Sequence, residues 1–272
     1  MSIKLLYSDL DGTMVGPGGC FVRSHDGSLT TAPAQALVDM LGCGIDLVLV
    51  SGRTRAQLQE AARIFGADGF VAEMGAIIGW EFGRRSTTLS GEAPDEFAGP
   101  LVAQLESIGL VDEFLAHYEG SITHHAPWHL GHETDVMLHG QVDVDDVDKW
   151  LMAQGYPWLT LVDNGRLPGR SLPGVAGPIH VYHLMARGLS KGRGIEVDLK
   201  RRGLTPKNAV AVGDSLSDLD MAGQVERLFL VANGAAVPSI RDAAEKLANV
   251  VICEGSVGEG WAEAARWAAM KA

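Results

Sequence analysis

Cysteine is scarce in this 272-residue chain: Cys20, Cys43 and Cys253 are odd in number and far apart. No pair has metal-type spacing, so neither a disulfide framework nor a cysteine-rich zinc site is indicated, and a reducing, cytoplasmic setting is the expectation. Long apolar runs are also missing. Nowhere do about 18 apolar residues follow one another without a charge, and the apolar start at Ile3 is broken at once by Ser8 and Asp9. Membrane spanning and secretion are therefore not expected. Positive charge is in deficit too, with 22 Lys and Arg against 34 Asp and Glu and a formal net charge of −12. That balance repels a phosphate backbone and argues against a nucleic-acid partner, although a few cations and backbone N–H groups in a cleft can still hold a small anion. No repeat of 20 to 50 residues and no low-complexity segment is present, which excludes solenoids and arrays.

What is present is 46% hydrophobic residues, 34 glycines and 11 prolines, the composition of a folded globular chain. The patterning predicts strands over Ile3–Tyr7, Ile45–Val50, Gly69–Ala72, Ala209–Val212, Leu228–Val231 and Val250–Cys253. Helices are predicted over Ala34–Gly42, Thr54–Phe65, Gly192–Arg202, Asp218–Gly223, Pro238–Leu247 and Trp261–Met270, with a loop or small hairpin over 14–30. This alternation implies an α/β fold with a parallel sheet, helices on both faces and a ligand site beyond the carboxyl ends of the strands. Between residues 84 and 186 the rhythm changes. Arg84–Pro94 reads as a polar loop, and strand-like stretches at Thr134–Leu138 and Trp158–Val162 mix with helical ones. We read 84–186 as an inserted α+β domain in a core of 1–83 and 187–272.

Four segments carry chemistry. Asp9 and Asp11 follow the first strand two residues apart, so both carboxylates can approach one phosphoryl group. A divalent cation relieves their repulsion, leaving one to attack phosphorus and the other to exchange a proton with the leaving oxygen. An Asx turn with a helix cap is the plain alternative. Ser51 ends the second strand, where its hydroxyl, the N–H groups at Gly52 and beyond, and the charge of Arg53 could bind phosphoryl oxygens. A turn serine and a solvated arginine would look the same. Gly213, Asp214, Ser215 and Asp218 follow another strand, and such hard oxygen ligands suit Mg2+, with Asp214 the leading ligand. Helix capping by Ser215 and Asp218 is the alternative there. Lys191 lies just ahead of a helix and could sit between the carboxylates and the phosphoryl group, though a lone lysine is usually a surface residue.

In this order, at strand ends and helix starts, the four segments resemble the haloacid dehalogenase (HAD) superfamily over about residues 1–80 and 187–272. The resemblance takes Asp9-Leu10-Asp11-Gly12-Thr13 as first motif, Ser51 as second, Lys191 as third, and Gly213-Asp214-Ser215 with Asp218 as fourth. It implies a Rossmann-like core, an aspartyl-phosphate intermediate and Mg2+ as cofactor. Asp9 is then the nucleophile and Asp11 the acid and base, with Ser51 and Lys191 completing the catalytic set. Thr13, Gly52 and Arg53 are substrate contacts, and Asp9, Asp11 through its carbonyl, Asp214 and Asp218 are the metal set. A second Asp at position 11 is similar to the phosphatases of the superfamily rather than its ion pumps or dehalogenases. The insertion point resembles the C2-capped branch, subclass IIB, which includes Cof-like sugar phosphatases, sucrose-phosphate phosphatase and mannosyl-3-phosphoglycerate phosphatase. Ala72-Glu73-Met74-Gly75-Ala76 is similar to a segment of the last.

The implied function is Mg2+-dependent hydrolysis of a small phosphorylated metabolite, a sugar phosphate or a phosphoglycerate or phosphoglycolate type, by a monomer or homodimer whose cap chooses the substrate. A phosphotransferase or mutase using the same intermediate, and a non-catalytic phosphometabolite sensor, are the rivals. Ser217 stands where the Cof-like pattern has Asn, and the loop from Gly12 to Thr31 is longer than usual. Six of the nine histidines fall between His117 and His139, among them His124, His125, His129 and His132. Substrate contact, metal ligation and ordinary placement all stay open for them, with specificity a better reading than catalysis.

Overall fold

A computed structural model describes residues 2–167 and 169–272. Two compact units result, one of Met1–Gly52, Gln57–Thr87 and Ser190–Ala272, the other of Arg53–Ala56 and Thr88–Leu189.

The first unit is built on an eight-stranded sheet. In chain order its elements begin with β1 (Leu5–Ser8), α1 (Ala32–Gly42), β2 (Asp46–Val50), α2 (Arg55–Phe65), β3 (Gly69–Ala72), β4 (Ile77–Trp80) and β5 (Arg85–Thr88). The second unit contributes α3 (Leu101–Ser107), α4 (Leu110–His117), β6 (Ile122–His124), β7 (Asp135–Gly140), α5 (Val144–Ala153), β8 (Leu159–Arg166) and β9 (His180–Ala186). The chain then returns through α6 (Lys191–Arg202), β10 (Ala209–Gly213), α7 (Leu216–Leu219), β11 (Arg227–Leu230), α8 (Ala232–Ala235), α9 (Pro238–Ala244), β12 (Val250–Ile252) and α10 (Val257–Ala269).

The large sheet runs β12-β11-β10-β1-β2-β3-β4-β5. From β12 to β3 every pairing is parallel. These strands read as near-continuous apolar runs because both faces are covered: Leu5, Leu6, Tyr7, Leu47, Leu49, Val71, Val210 and Val212 are at most 1% exposed. At about 1.5–3 kcal/mol for each large apolar side chain removed from water, this layer dominates the stability of the unit. Helix α10 packs on α1, β10 and β11, while α6 packs on β3 and β4. Trp261, fully buried in α10, donates from its indole N–H to Ser8 Oγ at 2.9 Å.

One expectation needs correction here. Beyond the parallel strands the sheet continues through β4, antiparallel to β3, and Arg85–Thr88, read as polar loop, is a strand on the sheet's edge. Its exposed Arg-Ser-Thr-Thr sequence has no apolar alternation to betray a strand, as suits an edge facing water. The turn between β3 and β4 bends through Glu73 and Met74, both at positive φ, rather than through a glycine pair.

The second unit is a four-stranded antiparallel sheet, β6-β7-β9-β8. Buried Val136, Leu138, Tyr182 and Leu184 alternate along β7 and β9, and Phe114 of α4 with Val147 and Leu151 of α5 add to its core. The rings of Phe114, Tyr118 and Trp150 meet with centroids 5.1 to 6.3 Å apart. Among the described residues no helix is long and apolar enough to cross a membrane.

Candidate active site

Adjacent parallel strands β1 and β10 end together, and their next residues are acidic. The Asp9 N–H donates to Val212 O at 3.0 Å, prolonging the ladder by one step, so Asp9 and Asp214 emerge from neighbouring strand ends. Carboxylate oxygens of Asp9, Asp214 and Asp218 lie within 4.8 Å of one another. Behind them, Ser8 Oγ donates to Asp9 O at 2.6 Å.

Lys191 is only 2% exposed, contrary to the usual fate of a lone lysine, and it is the first residue of α6 rather than lying ahead of it, with Ser190 as N-cap. Its Nζ donates to Asp9 Oδ1 at 3.0 Å and to Asp218 Oδ1 at 2.6 Å. Gly75 permits this seating. Its φ of +102° suits glycine, and a Cβ there would collide with Ser190 O and crowd the Lys191 N–H.

Asp218 serves two ends. One oxygen takes the lysine, while Oδ2 accepts from Asp214 N at 3.0 Å, Ser215 N at 2.9 Å and Ser215 Oγ at 2.7 Å, closing a capping box at the start of α7. The helix therefore starts at Leu216, earlier than predicted, and the capping alternative and the proximity to Asp9 hold at once. Thr13 is fully buried, and its hydroxyl donates to Asp214 Oδ1 at 3.0 Å, orienting that carboxylate. Gly12, at φ +87°, is forced to be glycine, because any Cβ would strike the Asp214 carboxylate. Ser217 meets Ser215 through their hydroxyls at 2.9 Å.

Ser51 follows β2, buried, with its N–H donating to Val71 O at 3.0 Å, and Gly52 beside it is buried too. Asp11 is exposed. Arg53, half-buried, is grouped with the second unit.

The electrostatics are those of a carboxylate cluster that could hold a cation. Burial pushes Asp9 up from 3.8 to about 7, against the pull of Lys191 and with added repulsion from Asp218 and Asp11. Burial likewise drives Asp214 well above its ordinary value, aided by Asp9 and Asp218. Burial alone would lower Lys191, but Asp218 and Asp9 outweigh it and hold the ammonium charged. Asp218 is also kept ionised, since Lys191 and the Ser215 donors overcome its burial. An all-oxygen donor set in which three carboxylates share one lysine fits a hard divalent ion, with Asp9 and Asp214 better placed to hold it than Asp218, both of whose oxygens are engaged.

Asn233 was not singled out by the sequence. Its Nδ2 donates to Gly12 O at 2.8 Å and its Oδ1 accepts from Val257 N at 2.8 Å, tying the loop after β1 to the start of α10. The segment Val231-Ala232-Asn233-Gly234 carries no local signal of that role.

A family model of the haloacid dehalogenase-like hydrolases matches residues 176–252. The chain is also 27% identical, over 96% of its own length and 95% of the relative's, to the phosphoglycolate phosphatase of Methanothrix thermoacetophila. Both matches make the chain similar to the haloacid dehalogenase-like hydrolases. Among solved structures, the chain superposes on the sucrose-phosphatase of Synechocystis sp. PCC6803 with a TM-score of 0.64 at 17% identity, covering 98% of each chain. It superposes on a HAD-superfamily phosphatase from Bacteroides thetaiotaomicron with a TM-score of 0.62 at 16% identity, covering 98% of this chain and 95% of the other. Those two likenesses concern the fold.

Proposed function

We propose that this HAD-like hydrolase is a Mg2+-dependent phosphatase that cleaves the phosphomonoester of a small metabolite by way of an aspartyl phosphate on Asp9. The observation that carries the reading is the Asp9 carboxylate, buried at the end of β1, held 3.0 Å from Lys191 Nζ and gathered with Asp214.

In the first step an Asp9 oxygen attacks phosphorus, the bond from phosphorus to the ester oxygen breaks, and Asp11 gives its proton to the leaving alkoxide. In the second, Asp11, now a carboxylate, takes a proton from water as that water attacks the aspartyl phosphate, which frees Asp9 and releases inorganic phosphate. Lys191 and Ser51 offset charge on the phosphoryl oxygens, with N–H groups near Gly52 as further donors. Asp218 acts by holding Lys191 and the turn at Asp214, and Thr13 by orienting Asp214. They position other groups rather than touch substrate. Mg2+, held by Asp9, Asp214 and the carbonyl of Asp11, would supply charge neutralisation between carboxylates and phosphate.

The phosphoglycolate phosphatase relatives favour phosphoglycolate as the first substrate to try, followed by sugar phosphates and phosphoglycerates. Phosphate release from such a panel, with Mg2+ or EDTA, tests the proposal for the wild type and Asp9→Asn. Release that requires Mg2+ and disappears with the substitution is the expected result. Undiminished release by Asp9→Asn would defeat the assignment of the nucleophile.

A further inference from the structure

The histidines of the second unit are sorted by its sheet. In the register of β7 with β9, Asp135 faces Met185 and Met137 faces His183, so Asp135 and His183 project from one face as diagonal neighbours. His132 lies three residues ahead of Asp135, just before β7. His132 Nδ1 meets Asp135 Oδ1, and His183 Nδ1 meets Asp135 Oδ2. All three side chains are at most 1% exposed, and their ligating atoms lie within 4.8 Å of one another. Neither ring belongs to the site already described.

We propose that His132, Asp135 and His183 hold one divalent transition-metal ion of the zinc class. Two imidazole nitrogens and a carboxylate suit zinc and its neighbours in the transition series, whereas Mg2+ favours the all-oxygen set around Asp9. The two Nδ1 atoms with both Asp135 oxygens make four donor atoms, the number that zinc takes in structural sites. Among the described residues the ion pairs of Asp135 are to those two rings, so no lysine or arginine competes with a cation for the carboxylate. A bound ion would tie the segment before β7 to the middle of β9, two pieces of chain 48 to 51 positions apart. The sequence reading placed potential ligands at His124, His125, His129 and His132; of these only His132 joins the cluster, and Asp135 and His183 supply the rest.

The test uses the full chain, stripped with a chelator, dialysed, and titrated with Co2+ in excess Mg2+. The expected result is one equivalent of Co2+ with visible d–d bands typical of a four-coordinate nitrogen-containing site, displaced by Zn2+, and a higher Tm for the Zn2+-loaded protein than for the stripped one. His183→Ala and Asp135→Asn should weaken binding by about 100-fold or more, since even the outer partners of metal ligands are worth about 10- to 100-fold, and Asp9→Asn should leave the bands unchanged. The wild-type titration decides alone if those variants do not fold. No bands and no retained Zn2+ in the wild type, or bands that survive His183→Ala but vanish with Asp9→Asn, would overturn the proposal.

Discussion

Replacing Lys191 by Met tests how the site's charges are balanced. The lysine is 2% exposed and bridges Asp9 and Asp218, whose side chains are 7% and 1% exposed. Methionine keeps most of the volume and removes the charge, so packing should change little. Removing one partner of a buried ion pair typically costs about 3–5 kcal/mol because the other is left uncompensated, and here two carboxylates lose their cation together. The loss should appear in urea unfolding of the full chain in EDTA at pH 8. It should shrink at pH 5, because Asp9, already raised to about 7 with the lysine present, is protonated there and no longer needs a partner. In an Asp9→Asn background the same substitution should cost less, by about 1.5–3 kcal/mol, the usual worth of a hydrogen bond to a charged group. Mg2+ should restore part of the stability. A loss below about 1 kcal/mol, or an equal loss at pH 5 and pH 8, would refute the account of a lysine that neutralises these carboxylates.

Without a divalent ion, the stability difference between the wild type and Asp9→Asn should depend on pH. An acid whose value rises from 3.8 unfolded to about 7 folded binds its proton more tightly in the folded state, so the wild type should lose stability relative to the variant as pH rises from about 4 through 7, then level off. Thermal melts in EDTA check this, and a constant difference across that window would contradict it. Gly12→Ala should displace the Asp214 carboxylate and weaken the Mg2+ requirement's apparent affinity by at least about tenfold, read from the Mg2+ dependence of phosphate release. Asn233→Ala breaks the bonds to Gly12 O and Val257 N and should cost about 1–3 kcal/mol in urea unfolding, since it strands two backbone groups.

Much of the fold was legible from local pattern. A parallel strand buried on both faces must be apolar throughout, and the turn after it can carry polar groups, so β1 and β10 announced themselves together with Asp9, Asp11 and Asp214. β3 has the predicted bounds, and most helices start or end within a few residues of expectation. The losses came where local chemistry is ambiguous. β4 is four residues long and enters through an unusual turn, β5 is polar because it is an edge, and β9 has histidines at positions 180 and 183 that mask its strand character.

The sequence by itself determined which residues could do chemistry, because carboxylates at strand ends and a Ser ahead of a helix are consequences of periodicity and capping that a few neighbours suffice to produce. Only the tertiary structure decided which of them meet. Asp9 and Asp214 converge because β1 and β10 pair although some 200 positions separate them. Lys191 becomes the shared cation of Asp9 and Asp218 because Gly75 lets the head of α6 approach the turn after β3. Asp218 is drawn into a helix cap and a lysine contact, Thr13 turns to Asp214, and His132 finds Asp135 and His183 across a strand pairing. Each of these contacts depends on long-range packing that excludes water and fixes distance, and a linear pattern carries information about neither.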